Sequence, residues 1–240
     1  MYHSITFGEK HTYRDWGLIP TERPAFNMPA VKTVYVDIPG ADGAVDLSTA
    51  LTGEVVYENR TGSFEFRVVP KEDWVRVYSE IADYLHGQKM KIILDDDPCY
   101  YYFGRPQVSK WKSDENASLI TIDVTADPYK YELYSSTEDW VWDTFNFETG
   151  IMREYRDLAV NGALDFTFQG SRKKSSPSFT VASEDGKGLV LVNKTAQPWV
   201  TVTLPDGTVH NPAIIVTDGM NHFSFSGTGT VTIDYRGGRL

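Results

Sequence analysis

The sequence predicts a mainly β protein with one α-helix, made of a barrel-like or sandwich-like N-terminal domain and a C-terminal β-sandwich. Most segments alternate apolar and polar residues, as half-buried strands do. One segment instead repeats its apolar residues every three or four positions, as a helix does. A polar stretch near residue 135 separates two halves of the 240-residue chain. We therefore expect a domain over 1–132, a linker over 133–139 and a second domain over 140–240.

The strands expected in the N-terminal half are short and half-buried. Apolar side chains alternate with polar ones over 34–38, 64–69 and 120–124, and further strands are expected over 89–94 and 99–103. The sequence Asp95-Asp96-Asp97-Pro98 interrupts the last two strands. Because aspartate accepts hydrogen bonds from nearby backbone amides and proline removes a donor, this sequence predicts a turn.

The single predicted helix covers about 71–86. Its apolar positions Trp74, Val77, Tyr78, Ile81 and Leu85 fall on one face. Acidic residues occupy its first turn, where the helix dipole favours them, and Gly87 can adopt a left-handed C-terminal cap.

The C-terminal half is expected to contain strands alone, at intervals typical of a sandwich. The expected strands are 140–147, 164–168, 178–182, 189–192, 199–204, 213–216, 221–225 and 230–235. Pro205-Asp206-Gly207 predicts a hairpin turn, and Gly227 with Gly229 predicts a corner between the last two strands.

Composition excludes several functional classes. The net charge of −10 argues against stable nucleic-acid binding, which needs basic surfaces. No apolar stretch reaches the roughly 18 residues that predict a membrane span, and the N-terminus lacks a secretion-signal pattern. The single cysteine cannot form an internal disulfide, which is consistent with synthesis in a reducing cytoplasm.

No motif predicts catalysis, a cofactor or a metal. The sequence contains no Gly-x-Ser-x-Gly nucleophile motif, and its five histidines are scattered rather than spaced as zinc ligands. Cys99, in a tyrosine-rich segment, is expected to be a small buried thiol. Consecutive aspartates at 95–97 point in alternating directions, so we expect a turn rather than a cation site.

Tryptophans in the C-terminal half allow two interpretations. Trp140, Trp142 and Trp199 could stack on sugar rings, or they could be ordinary core residues, which large aromatics often are. The core interpretation is the one we favour, and the sugar platform stays open as the alternative.

A series of short sequences in the N-terminal half resembles a known family. They are Trp16-Gly-Leu-Ile-Pro20, Val36-Asp-Ile-Pro-Gly-Ala-Asp-Gly43, Asp46-Leu47, Leu51-Thr-Gly53, Leu85-His-Gly87, Leu94-Asp-Asp-Asp-Pro-Cys-Tyr-Tyr-Tyr102 and Gly104-Arg105. Their order, from Trp16 to Tyr131 with one helix among strands, resembles that of the distal tail proteins of long-tailed, siphovirus-type bacteriophages and prophage tails. In the C-terminal half the resemblance is architectural, to a galectin-like β-sandwich.

The resemblance implies a structural role without catalytic residues. Six N-terminal domains would close into a ring, and the C-terminal domains would project outward. The ring would join the tail tube to the tail-tip or baseplate hub, to a tail-associated lysin and to receptor-binding or side-fibre proteins. Such a protein is made in the bacterial host cytoplasm and resides in the virion tail.

Ring closure needs loops or strand edges that bury polar backbone against a neighbouring subunit. The segment 40–53 is our candidate because glycines bracket it and aspartates punctuate it: Gly40, Asp42, Gly43, Asp46 and Gly53.

Two other classes remain as hypotheses. A carbohydrate-binding module or adhesin would use the tryptophans of the C-terminal half. A β-sandwich glycoside hydrolase would need two carboxylates across a cleft, and spacing alone nominates no pair.

Overall fold

A computed structural model describes residues 3–69, 74–113, 118–134, 158–195 and 197–240. The chain divides into two compact units, one of residues 1–130 with Leu240 and one of residues 131–239. Both are built mainly from antiparallel strands, so the predicted fold class is confirmed. Within the described ranges, neither helix has the length and hydropathy needed to cross a bilayer.

In its described residues, the first unit contains one long sheet, one small sheet and two helices. Its elements are β1 Ile5–Phe7, β2 Lys10–His11, α1 Thr12–Trp16, β3 Leu18–Pro20, β4 Tyr35–Asp37, β5 Ala44–Asp46, β6 Arg60–Val68, α2 Trp74–Leu85, β7 Met90–Leu94, β8 Tyr100–Ser113 and β9 Ser118–Ala126. The strands of the long sheet lie in the order β2-β1-β7-β8-β9-β6-β3, and β4 pairs with β5 alone.

The core of the first unit follows the alternation of its strands. In β6 the side chains of Phe64, Phe66 and Val68 are buried while those between them are exposed, and β9 buries Ile120 and Ile122 in the same way. This one-sided burial is the pattern that period-2 alternation predicts.

Helix α2 confirms the predicted helix over 74–85, and residues 71–73 lie outside the described part of the chain. Its buried residues are Val77, Ile81 and Leu85, one per turn on a single face. Gly87 has φ 77°, the left-handed conformation expected at the C-terminal cap.

Helix α1 was not predicted from sequence, which indicated a single helix. It is only five residues long, too short to show a helical period. The His11 side chain caps it by accepting the N–H groups of Tyr13 and Arg14, and Gly17 ends it with φ 64°. Histidine is an uncommon N-cap, which is why the usual start signals did not reveal this helix.

The described part of the second unit contains one curled six-stranded sheet around an aromatic core. The strands of the unit are β10 Lys130–Glu132, which begins at the unit boundary, β11 Leu158–Gln169, β12 Ser178–Ser183, β13 Leu189–Asn193, β14 Val200–Leu204, β15 Gly207–His210, β16 Met220–Asp234 and β17 Gly238–Arg239. The main path of the six-stranded sheet is β14-β13-β16-β12-β15, and β11 also pairs with β16. Strands β10 and β17 pair with each other and lie outside this sheet. Phe179, Phe223 and Phe225 are fully buried at its centre.

Strand β16 corrects the predicted corner at Gly227 and Gly229. The strand continues through both glycines, pairing with β13 before them and with β12 after them. A β-carbon on Gly229 would lie 2.3 Å from the carbonyl oxygen of Ala182, so the residue permits close strand approach.

The predicted hairpin at Pro205-Asp206-Gly207 is wrong. The strands on its two sides, β14 and β15, lie at opposite ends of the main path and do not pair. The Asp206 carboxylate instead accepts the backbone N–H of Ser183. Turn residues specify a local change of chain direction, but they do not specify which strand becomes the hydrogen-bonded neighbour in a curved sheet.

Two other expected strands also differ. Residues 213–216 form no strand and contribute one isolated bridge, between Val216 and Ser175. The expected strand over 140–147 lies outside the described residues.

Candidate assembly surface

A two-stranded ribbon leads from β3 into β6; we call its residues 27–61, which include the first two residues of β6, the arm. Backbone hydrogen bonds run along it from base to tip, donated by Asn27 to Thr61, by Glu58 to Ala30, by Lys32 to Val56 and by Leu47 to Val34. The pair β4 and β5 forms its outer part. The arm is thus an ordered antiparallel ribbon.

The outer part of the arm has one apolar face. Val36 lies opposite Val45, while the flanking pairs Tyr35 with Asp46 and Asp37 with Ala44 point to the other face. Residues two positions from these valines share their face. The apolar face therefore consists of Val34, Val36, Ile38, Val45 and Leu47.

This apolar face is open to solvent in the isolated chain. Val34 is 54% exposed, Val36 43% and Ile38 50%, and Leu51 in the following loop is fully exposed. From 31 to 55 every residue is exposed except Ser48, which is half-buried. Contiguous apolar surface of this kind is characteristic of sites that bind another molecule.

The predicted half-buried strand over 34–38 is therefore only partly correct. Its strand conformation is present over 35–37, but the alternating apolar side chains have no covering layer within the described part of this chain. Alternation reports that one face is suited to burial, and it does not report which molecule covers that face.

The five residues predicted as an interface loop all lie on the arm. Gly40, Asp42 and Gly43 form the connection between β4 and β5, and Gly53 lies in the loop after β5. Gly40, Gly43 and Gly53 have positive φ values of 85°, 74° and 70°, so these turns favour glycine.

Asp46 stabilises the end of the β4–β5 pair that lies away from the connecting turn. Its Oδ1 accepts the backbone N–H of Ser48 at 2.9 Å and also the Ser48 hydroxyl, while Ser48 Oγ accepts the Val34 N–H at 2.9 Å. These hydrogen bonds from Ser48 lower the pKa of Asp46. Asp46 thus shapes the arm. The apolar side chains of 34–38, which were expected from the sequence to be half-buried within this chain, are exposed beside it.

The aspartates at 95–97 have separate protein partners. Asp95 Oδ2 lies 3.3 Å from His11 Nε2, Asp96 Oδ1 lies 2.6 Å from His3 Nδ1, and Asp97 Oδ2 lies 2.6 Å from Lys130 Nζ. Arg23 adds a second contact to Asp96 at 2.8 Å. These contacts fasten the turn between β7 and β8, and the described residues contain no group of three metal-ligating side chains.

Two further sequence candidates have contrasting environments. Cys99 is half-buried, and burial together with the nearby Asp97 raises the pKa of its thiol, which disfavours a reactive thiolate. Trp199 is 56% exposed, so the core interpretation is wrong for this residue. Trp140 and Trp142 lie outside the described residues.

A solved structure shares the fold of this chain over nearly its full length. The chain matches the crystal structure of the Dit protein of phage SPP1, a paradigm of the hub adsorption apparatus in phages that infect Gram-positive bacteria. The TM-score is 0.65, and the match covers 98% of this chain and 99% of the SPP1 chain at 12% sequence identity. No protein-family model and no curated protein matches the sequence. The similarity therefore establishes a shared fold over both units.

Proposed function

We propose that this protein is a distal tail protein and acts as a structural hub at the tip of a phage or prophage tail. The observation that carries the proposal is the fold shared with SPP1 Dit over nearly the full length of both chains. The order of short sequences from Trp16 to Tyr131 supports the same family independently of the fold.

The arm supports assembly into a ring. A two-stranded ribbon is marginally stable on its own in water, and the apolar face of this one has no cover from the described residues. Burying one valine or leucine contributes about 1.5–3 kcal/mol, so several such residues repeated around a ring would contribute substantially to assembly. We propose that the arm of each copy packs on the next copy, and that six copies close the ring.

A projecting arm is suited to a head-to-tail contact between neighbouring subunits. When one surface of a subunit binds a different surface of its neighbour, repetition produces a closed ring if the rotation is correct. The ring-forming domain would cover about 1–132 and the second domain 140–240, joined by a linker over 133–139. The partners would be the tail tube, the tail-tip hub or tail-associated lysin, and receptor-binding or side-fibre proteins.

The role is structural and the location is the virion tail, after synthesis in the host cytoplasm. The acidic chain, with net charge −10, is suited to a passage through which DNA moves without adhering. Neither a membrane nor a stable complex with nucleic acid is part of this proposal.

Negative-stain imaging of the purified chain tests the proposal. We expect ring-shaped particles with sixfold symmetry and a central opening. Particles without an opening, or open filaments, would contradict the ring.

A further inference from the structure

The second unit exposes a tryptophan beside several polar side chains. Trp199 directly precedes β14, and 56% of its surface is accessible. Tryptophan has an apolar ring and a polar N–H, and it is common in binding sites that need both. An indole this exposed is available to a ligand.

The sheet brings charged and polar groups close to this ring. Lys194 Nζ lies 5.8 Å from the centre of the Trp199 ring and 3.0 Å from Asp165 Oδ1. His222 Nε2 lies 3.5 Å from the same carboxylate oxygen. The side chains of Asp165 and His222 are 64% and 41% exposed, so both face solvent together with Trp199.

The register of the strands explains the juxtaposition. On β16, residues 222 and 224 alternate with the buried Phe223, so they point to the outer face of the sheet. Asp165 of β11 pairs with Ser224, which places its carboxylate on that same outer face. Lys194 directly follows β13, which pairs with β16. Its backbone N–H donates to the His222 carbonyl of β16 at 2.9 Å.

Buried hydrogen bonds hold this arrangement in place. The side chain of Asn193, 2% exposed, accepts the Thr195 N–H at 2.9 Å and donates to the Ile215 carbonyl at 3.3 Å. The Thr195 hydroxyl in turn accepts the His222 N–H at 2.9 Å. These hydrogen bonds order the backbone that carries Lys194 and His222 before any ligand arrives, so less entropy is lost on binding.

The chemistry of these groups fits a neutral ligand with hydroxyls. One carboxylate and one ammonium balance each other, and together with the imidazole they offer both acceptors and donors. The hydrogen bonds from Lys194 and Ser224 lower the pKa of Asp165, which remains ionised at neutral pH. A sugar ring has an apolar C–H face that can lie on an indole and hydroxyls at its edge that can reach such groups.

We propose that Trp199, Asp165, Lys194 and His222 form a binding site for a pyranose unit of a neutral polysaccharide. The indole stacks on the sugar ring, and the polar groups bind its hydroxyls. This site goes beyond the structural role of the hub and does not depend on ring formation.

The test uses the full-length protein and defined sugars. An array of neutral oligosaccharides ending in glucose, galactose or N-acetylglucosamine identifies the best binder, and calorimetry then measures its affinity. We expect Trp199→Ala to weaken binding about tenfold or more and Trp199→Phe, which keeps an aromatic face, to weaken it less. Asp165→Asn should also weaken binding by several fold, because it removes a charged acceptor.

A matched control separates the site from general effects of charge. Asp185 is another exposed aspartate of this unit, paired with Lys187 at 3.3 Å and likewise with a lowered pKa. Asp185→Asn should leave sugar affinity unchanged. Because Trp199 and Asp165 are exposed, all four variants should keep the melting temperature of the unaltered chain.

Two results would overturn the sugar site: no binding to any neutral sugar, and affinity that is unchanged in Trp199→Ala. The particle mass of the same samples reports ring formation separately, so failure of the sugar site is distinguishable from failure of the hub proposal.

Discussion

At the scale of single residues, Asp96 shows how charge secures the first unit. The hydrogen bond with His3 is the largest cause of its lowered pKa, followed among the favourable contacts by Arg23. Because the pKa is lower in the folded state than the usual 3.8, the carboxylate stabilises the fold above about pH 4. That stabilisation is lost as the pH falls through the folded-state pKa.

The Asp96 carboxyl should therefore titrate below 3.8 when followed by carbon NMR. His3→Ala should raise this pKa toward the usual value, since it removes the main stabilising contact of the ionised form. The exposed His86 offers a control, and His86→Ala should leave the titration of Asp96 unchanged. A pKa of Asp96 at or above the usual value in the unaltered chain would contradict the assigned contacts.

Two glycines in one turn of the second unit differ in the space around them. Gly186 and Gly188 have φ values of 70° and 80°, so alanine is strained at either position. A β-carbon at Gly186 meets nothing within 4 Å, whereas one at Gly188 would lie 2.1 Å from the Leu204 carbonyl oxygen.

We expect Gly186→Ala to lower the free energy of unfolding by about 1–2 kcal/mol from backbone strain alone. Gly188→Ala should cost roughly 1–3 kcal/mol more, because the strand β14 must also move. Urea unfolding of the two variants measures the difference. Equal midpoints would mean that the close approach between Gly188 and β14 is absent.

At the scale of elements, the arm makes the clearest prediction. Val36 and Tyr35 are adjacent and both exposed, but only Val36 lies on the apolar face. Val36→Asn should therefore reduce the assembled mass at micromolar concentration, while Tyr35→Asn should leave it unchanged. Neither change should lower the melting temperature of the monomer, because neither side chain is buried within its own chain.

Light scattering on a sizing column distinguishes the two variants. Loss of assembly in Tyr35→Asn but not in Val36→Asn would reverse the assignment of faces. Full assembly of both variants would exclude the outer part of the arm from the contact.

Sequence patterns predicted elements better than they predicted the partners of those elements. Helix α2 and strands β6 and β9 were predictable because their periodicity reflects burial inside one unit. The five-residue helix α1 escaped because a single turn has no measurable period. The Pro205 hairpin failed because turn chemistry does not encode the curvature that separates β14 from β15.

For the candidate sites too, the sequence predicted local structure better than it predicted which side chains are exposed. Gly40, Asp42 and Gly43 were predicted from composition to lie in a loop, and they connect β4 to β5 at the tip of the arm. Val36 was expected to be half-buried within this chain, since the alternation over 34–38 is identical to that of a core strand. Val45, which lies opposite it, falls in the segment 40–53 that was predicted as an interface loop. Trp199 was assigned to the core for a similar reason, because residue type does not reveal exposure.

At the scale of the whole molecule, two observations point to an assembled state. The fold is shared with the SPP1 Dit hub over both units, and the arm presents apolar side chains without cover from the described residues. An isolated monomer would leave this face in water, whereas a ring would bury one copy of it at every subunit boundary. We therefore propose that the chain functions as a closed oligomer.

The most direct test is the solution mass of the unaltered protein, measured by light scattering at micromolar concentration. We expect a mass of six times 27.1 kDa that is constant across the eluting peak. A mass of 27.1 kDa that persists as the concentration rises would contradict the closed oligomer, because the exposed arm would then have no second copy to bind.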